Sequence, residues 1–294
     1  MSRAIDTEQI CSDAKSRNSL IDITISIKVI QTQSGAVHGI QAVKKITILG
    51  VTFPVLGYED TLKIFQEWVL ADIPHQVCIA NVHTVVSCRA DAELRHITNN
   101  SMATMDGLPL VWYAKYVNNV DATRVCGPDL MLKCLDVGQA RGWKHYFLGG
   151  RNEVLEELVF RTRQQFPRAE LVGHYSPPFR PLSPEEDQVL VDRINQSGAD
   201  FLWVGLGAPK QEKWIAAHLD RIKVPVQLGV GAAFDFHSGY IRRAPIWMQR
   251  SGLEWVYRVI KDKRLVKRYL TTNPRFLMCF VVDLVWVRLF KINR

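Results

Sequence analysis

Phe201-Leu-Trp-Val-Gly-Leu-Gly-Ala-Pro-Lys-Gln-Glu212 holds a strand, a turn and a helix start in one short stretch. The uninterrupted apolar run of Phe201, Leu202, Trp203 and Val204 reads as a buried strand. Gly205 and Gly207 then give a tight turn, and Pro209 begins a helix with Lys210, Gln211 and Glu212 in its first turn. The free N–H groups of such a turn, the helix dipole and the lysine all favour an anion. The stretch is neither a Walker A loop nor a full G-x-G-x-x-G fingerprint.

The same pattern recurs on both sides. Strand-like runs at 145–148, 170–172 and 226–228 alternate with amphipathic helical segments, one of them opened by the capping box Ser183-Pro-Glu-Glu186. Upstream, residues 46–53 read as a strand containing a glycine, 61–71 as a helix, 76–80 as a strand, and 85–98 and 110–116 as helices. This is a βαβα text, and it predicts an α/β fold: a Rossmann-like parallel sheet sandwiched by helices. Successive strands end in glycine, at Gly149-Gly150, Gly173, Gly205 with Gly207, and Gly229 with Gly231. In a parallel sheet these ends face the ligand crevice, where glycine lets backbone N–H groups approach a phosphate. Gly149, Gly150, Gly207 and Lys210 are therefore the candidate nucleotide-binding residues; any one of these glycines alone would pass for a tight βα turn.

The chain has 294 residues, 47% hydrophobic and 22% charged, which excludes general disorder. Its net charge of +8 suggests a polyanion partner. The charge is local, however. Residues 241–294 contain thirteen Lys and Arg against three Asp and Glu, a net of +10, which leaves the preceding 240 residues at −2. Three parts follow: 1–44, an extension of unknown order; 45–240, a catalytic α/β domain; and 241–294, a basic amphipathic helical appendage. On one continuous helical wheel from Arg258, Lys261, Arg264 and Arg268 fall on one side and Val256, Val259, Val266 and Leu270 on another, which suits an anionic lipid surface or a solvated basic face. Residues 276–290 are apolar but interrupted by Asp283 and Arg288, so interfacial burial or packing on a partner is expected rather than a span. The six cysteines form no C-x-x-C pair and no zinc spacing, and residues 21–30 lack the continuous apolar core of a secretory signal, so a reducing, cytoplasmic setting is expected.

Several groups have little use in a packed core. Asn81-Val-His-Thr84 follows a strand, and Asp106 stands in Met105-Asp-Gly107. Asp-Gly most often marks a solvated turn, but a carboxylate at a strand exit can also take a proton from an acceptor hydroxyl. Arg124 precedes a Gly-Pro turn and offers a donor fork for phosphate or for an ion pair. Asp235, in Gly229-Val-Gly-Ala-Ala-Phe-Asp235, can bond a sugar hydroxyl or cap its neighbour. There is no Asp-x-Asp, the usual two-carboxylate clamp for a metal on a diphosphate, so no metal and no cofactor is expected.

Gly205-Leu-Gly-Ala-Pro-Lys-Gln-Glu-Lys-Trp214, Gly229-Val-Gly-Ala-Ala-Phe-Asp235, Arg243-Ala-Pro245 and Gly252-Leu-Glu-Trp-Val-Tyr-Arg258 resemble the bacterial WecG/TagA/CpsF glycosyltransferases over residues 46–270. Met105-Asp-Gly107, Arg124-Val-Cys-Gly-Pro-Asp-Leu130 and Phe147-Leu-Gly-Gly150 add weaker matches. The resemblance implies an inverting, metal-independent transfer of a hexose (N-acetylmannosamine, its uronic acid, or glucose type) from a UDP-sugar to a polyprenyl-diphosphate-linked sugar in surface polysaccharide synthesis. It places the enzyme peripherally on the anionic inner face of the plasma membrane, with no nucleic-acid partner and with homo-oligomerisation left open. It makes Asp106 the base, Asn81 a pocket residue, Arg124 a contact of acceptor or diphosphate, Gln211 a neighbour of the sugar nucleotide, Asp235 an acid of the nucleotide pocket and Arg258 the first arginine of a closing appendage. Arg264 and Arg268 extend that set, although the link from Arg258 to Lys267 is one residue short and lacks a common proline. Ile79 replaces a small hydroxyl residue. Two rivals remain: a nucleotide-dependent oxidoreductase, which lacks its fingerprint here, and a basic nucleic-acid-binding protein, which lacks stacking or groove-reading elements.

Overall fold

The computed structural model describes Ile25–Ser26 and residues 43–289. Two sheets are present among them. Strand β1 (Ile25–Ser26) pairs antiparallel with β2 (Val43–Ile48), which forms a hairpin with β3 (Val51–Pro54). The expected single strand over 46–53 is thus two strands, and the expected boundary after residue 44 falls inside β2. The reversal sits at Leu49 and Gly50, both at positive φ (49° and 85°), the backbone of a type I′ turn. Glycine takes that conformation readily and leucine rarely, so Leu49 concealed the turn.

The main sheet has six strands, all parallel, in the order β5-β4-β9-β8-β6-β7. They are β4 (His75–Ala80), β5 (Met102–Met105), β6 (Lys144–Gly149), β7 (Glu170–Tyr175), β8 (Phe201–Gly205) and β9 (Val226–Gly229). The predicted α/β architecture holds. β5 lacks a β-branched alternation and escaped the sequence reading; it is short, and its Met-Ala-Thr-Met has weak strand preference.

Helices connect the strands: α1 (Tyr58–Ala71), α2 (Val82–Ala90), α3 (Ala92–Asn100), α4 (Leu108–Tyr116), α5 (Gly127–Arg141), α6 (Asn152–Gln165), α7 (Pro184–Gln196), α8 (Lys210–His218) and α9 (Ala233–His237). The helix expected over 85–98 is broken into α2 and α3 at Asp91, whose extended backbone ends the first while its carboxylate accepts from Leu94 N at 2.9 Å to cap the second. The Ser183 box forms as read, Glu186 N donating to Ser183 Oγ and Ser183 N to Glu186 Oε2.

Strand side chains alternate between the two faces. Phe147, Phe201 and Trp203 join Phe65, Trp143 and Leu158 on one, whereas Leu148, Leu202 and Val204 join Leu190 and Ile215 on the other. A third cluster links the hairpin, α2 and α4 to Phe276.

The C-terminal segment is α10 (Ile246–Arg250), α11 (Glu254–Lys261), a 3-10 turn (Lys263–Leu265) and α12 (Val266–Leu289). The continuous wheel drawn from Arg258 therefore fails: Asp262 is extended (φ −134°, ψ 98°) and re-aims everything after it. By length and composition alone, Lys263–Leu289 is apolar enough to cross a membrane, contrary to expectation. One face is nonetheless committed to the body. Phe276, Phe280, Leu284 and Val287 pack on the third cluster, and Tyr113 Oη donates to Asp283 Oδ2 at 2.7 Å. The charge that interrupts the apolar run is thus a docking contact. Leu277, Met278, Val281 and Val285 stay exposed on the other face.

Candidate active site

The carboxyl ends of the strands open into a cavity of about 1120 Å³, roofed by the C-terminal segment. Its wall includes Asn81, Asp106, Arg124, Gly150, Gly207, Lys210, Gln211, Asp235, Arg258, Arg264 and Arg268, so the topology gathers nearly every predicted site residue. The site lies where the chain steps outward from β4 to β5 on one side and from β6 to β7 on the other, with β9 and β8 between them.

Asn81 and Asp106 sit one step beyond the paired residues Ala80 and Met105, and Asp106 N donates to Ala80 O at 2.9 Å. Asn81 caps α2, its Oδ1 accepting from His83 N (3.0 Å) and Thr84 N (3.3 Å), which leaves Nδ2 outside the cap. Ile79, 8% exposed, gives that edge of the cavity an apolar surface. The Asp106 side chain is 23% exposed, within a turn that ends where α4 begins. Burial raises its carboxyl above the ordinary range, against the opposing pull of Arg124.

Arg124 donates through Nε to the Asp106 backbone carbonyl, and its Nη2 lies 3.6 Å from Asp106 Oδ1 but 2.9 Å from Glu254 Oε2 on α11. Glu254 Oε1 also accepts from Arg243 Nε at 3.3 Å, and Arg243 forks onto Asp129 of α5. This network clamps the C-terminal segment onto the body.

Of the candidate glycines, Gly150 and Gly207 line the cavity. Gly149 is absent from the cavity wall: its φ is +111°, and a Cβ there would come within 2.8 Å of the Gly205 backbone, so its role is close packing of β6 on β8. The N–H groups of Gly150 and Gly207 are already engaged, the first by Gly205 O (3.1 Å) and the second by Gln211 Oε1 (3.1 Å). Gln211 is buried; its Oε1 also accepts from Gly231 N (3.0 Å), while its Nε2 donates to Glu212 Oε1 (2.9 Å). It is a strut between the turns after β8 and β9, with one of its two Nε2 donors used within the protein. Lys210 is exposed in the first turn of α8, at the cavity edge.

Positive charge enters the cavity from side chains instead. Arg258 stands over the Phe236 ring at 5.7 Å. Arg268 is half-buried, and its buried Nε has no hydrogen-bond partner among the described residues. Burial lowers its pKa, helped by Arg258; burial and Arg268 together push His83 down to about 4. Arg264 is 82% exposed and already forked on Asp262, with 2.9 Å contacts from Nε and Nη2. Asp235 faces Arg151, Arg258 and Arg264, but burial is the larger influence and raises its carboxyl.

Sequence reading missed Arg151, stacked 4.7 Å from the Tyr240 ring, although it directly follows the quoted Gly149-Gly150. It also missed Glu254, which lies within a quoted motif, and the loop carrying Pro177, Phe179 and Leu182, which walls the far end of the cavity.

Residues 46–289 match the description "Glycosyl transferase WecG/TagA/CpsF family". The chain is 29% identical over 243 residues to an N-acetylglucosaminyldiphosphoundecaprenol N-acetyl-beta-D-mannosaminyltransferase of Staphylococcus aureus strain MW2, covering 79% of this chain and 91% of that protein. The same values hold for the protein of that name from strain NCTC 8325 / PS 47. A parallel α/β sheet, a carboxylate at one strand end, a cationic roof and a match over nearly the whole described chain agree: this protein is a glycosyltransferase and belongs to the WecG/TagA/CpsF family.

Proposed function

We propose that the protein transfers a hexose of the N-acetylmannosamine type from its UDP conjugate to a polyprenyl-diphosphate-linked sugar, with inversion and without a metal. The supporting observation is that Asp106 opens onto the same cavity as Arg258 and Arg268. In this reading Asp106 takes the proton of the acceptor hydroxyl, whose oxygen bonds to the anomeric carbon as the bond from that carbon to the UDP oxygen breaks. The negative charge gathering on the leaving diphosphate meets Arg258, Arg268, Arg151 and the amino-terminal turn of α8. The glycines serve by shaping the turns, and Gln211 by fixing them. A panel of UDP-sugars offered with a short polyprenyl-diphosphate N-acetylglucosamine tests this: a β-linked product is expected from UDP-N-acetylmannosamine, and an α-linked product overturns inversion.

In this reading the cavity arginines supply the positive charge that a metal would otherwise bring to the diphosphate; no group of three His, Cys, Asp or Glu side chains placed to hold a metal ion occurs among the described residues. Unchanged turnover in EDTA is the expected result; strict dependence on added Mn²⁺ contradicts the proposal.

Residues 45–240 act as the catalytic body in this reading and 241–294 as an appendage that also meets the inner membrane face. Trp247, Trp255, Ile246 and Ile260 are exposed beside Arg250, Lys261, Lys263 and Lys267. Flotation with phosphatidylglycerol-containing vesicles is expected, weakening with salt and absent on neutral vesicles. Binding to DNA in place of lipid would reverse that assignment.

A further inference from the structure

The C-terminal segment does more than cover the cavity, because it inserts a carboxylate between Arg124 of the body and its own Arg243. Arg124 has one guanidinium to share. Its Nε is held by the Asp106 backbone carbonyl and its Nη1 by Gln249 O at 3.3 Å. Its Nη2 is left to choose between two carboxylates, lying 2.9 Å from Glu254 Oε2, a hydrogen bond, and 3.6 Å from Asp106 Oδ1, a looser ion pair. Glu254, with 15% of its side chain exposed, is itself held by Arg243, which is anchored on Asp129. Asp129 in turn accepts from Cys126 Sγ at 2.9 Å, beside Tyr58. The competition therefore has a fixed geometry.

We propose that Glu254 is a positioning residue that draws the Arg124 guanidinium away from the Asp106 carboxylate, so that docking of the C-terminal segment sets the strength of the catalytic base. The proposal rests on Asp106 being that base. The chemistry is simple: a carboxylate locked in a close arginine fork is a weak base, and one left buried with a loose partner is a stronger one. The charged and titratable groups facing Asp106 are Arg124 and Cys126 from the segment leading into α5, Arg243 ahead of α10, Glu254 and Arg258 from α11, and Arg268 from α12. Of the charged groups among these, Glu254 is the one that favours the protonated acid, and the arginines oppose it. It arrives only with the segment, whereas Arg124 belongs to the body. Without the α11 carboxylate, Asp106 is the acid left to the Arg124 Nη2; with α11 in place, Glu254 holds that nitrogen off it.

The test is the pH profile of kcat/KM for the full chain with UDP-N-acetylmannosamine and the short lipid acceptor. In Glu254→Gln the acidic limb is expected to move down by about one pH unit, with kcat reduced about tenfold, because a carboxylate in a closer fork is both more acidic and less basic. UDP affinity, measured by titration, is expected to stay within about twofold, since both Glu254 oxygens are taken by Arg124 and Arg243; this is the readout a general collapse of the roof would move. Glu254→Asp keeps the charge but shortens its reach, and is expected to place the limb between the other two. It also carries the test if the Gln variant proves unstable. An acidic limb that stays at the wild-type position in both variants, whatever the loss of rate, overturns the proposal. Wild-type turnover by Asp106→Asn is a separate result: it removes the base assignment itself, and is distinguishable because it is read in a variant that leaves Glu254 intact.

Discussion

Asp106→Asn is expected to lower kcat by about 10²–10⁴-fold, the usual contribution of a positioned general base, while leaving UDP affinity close to wild type. The amide keeps the shape of the side chain and cannot accept the proton. The wild-type acidic limb should lie above about 4, the ordinary carboxylate value, because burial raises the Asp106 carboxyl more than Arg124 lowers it. Stability supplies an independent control. A carboxyl whose folded pKa is raised contributes its stability below its unfolded pKa and loses it as pH climbs through the folded value. At neutral pH the ionised Asp106 is therefore a cost that the neutral amide avoids, so the variant should melt no lower than wild type. A variant that is inactive because it is unfolded would show the opposite, and thermal melts at pH 7 separate the two.

What could be read in the sequence was what the chain writes locally. The strands β6, β8 and β9 are apolar runs closed by glycine, and the Ser183 box announces α7 outright. Less was legible where one residue does two jobs. Asp91 ends α2 and begins α3, so the pair reads as one helix, and Leu49 takes a turn conformation that its residue type disfavours. The site divides in the same way. Asp106 was visible as a carboxylate on a turn, and the arginines as a cluster, because each is a property of a short segment. Their pairing was not, since Arg124 meets Glu254 across 130 residues and Arg243 meets Asp129 across 114. Glycine posed the opposite difficulty. Gly149, Gly150 and Gly207 spell a phosphate loop, yet Gly149 is required by a neighbouring strand and the N–H groups of the other two are engaged within the protein. For Gly149 the close approach is to the Gly205 backbone, whereas Gly150 and Gly207 turn the chain at positive φ on the cavity wall.

Arg268→Met should separate function from stability more sharply than any other single change. This guanidinium is half-buried and faces Arg258, and its Nε is buried with no hydrogen-bond partner among the described residues. The acid that would best serve it, Glu212, is buried with one oxygen unpartnered and the other accepting from Gln211 Nε2 at 2.9 Å. Leaving a buried donor unsatisfied costs about 1–3 kcal/mol, so a methionine of similar length should raise the melting temperature of the protein without UDP or leave it unchanged. Activity should move the other way. If Arg268 meets the diphosphate as charge gathers on the leaving oxygen, its removal should reduce kcat by about 10²–10³-fold, comparable to the loss of one preorganised donor. The stabilisation conferred by saturating UDP, measured as a thermal shift, should shrink in the same variant. Arg264 is the internal contrast: exposed and already forked on Asp262, it has little charge to offer, and Arg264→Met should cost less than about tenfold. A roof arginine that is costly to the empty enzyme and needed by the loaded one is a preorganised diphosphate contact; were Arg268→Met to destabilise the empty protein while leaving the UDP thermal shift intact, the guanidinium would be a packing element of α12 and the charge on the leaving group would have to be met elsewhere in the cavity.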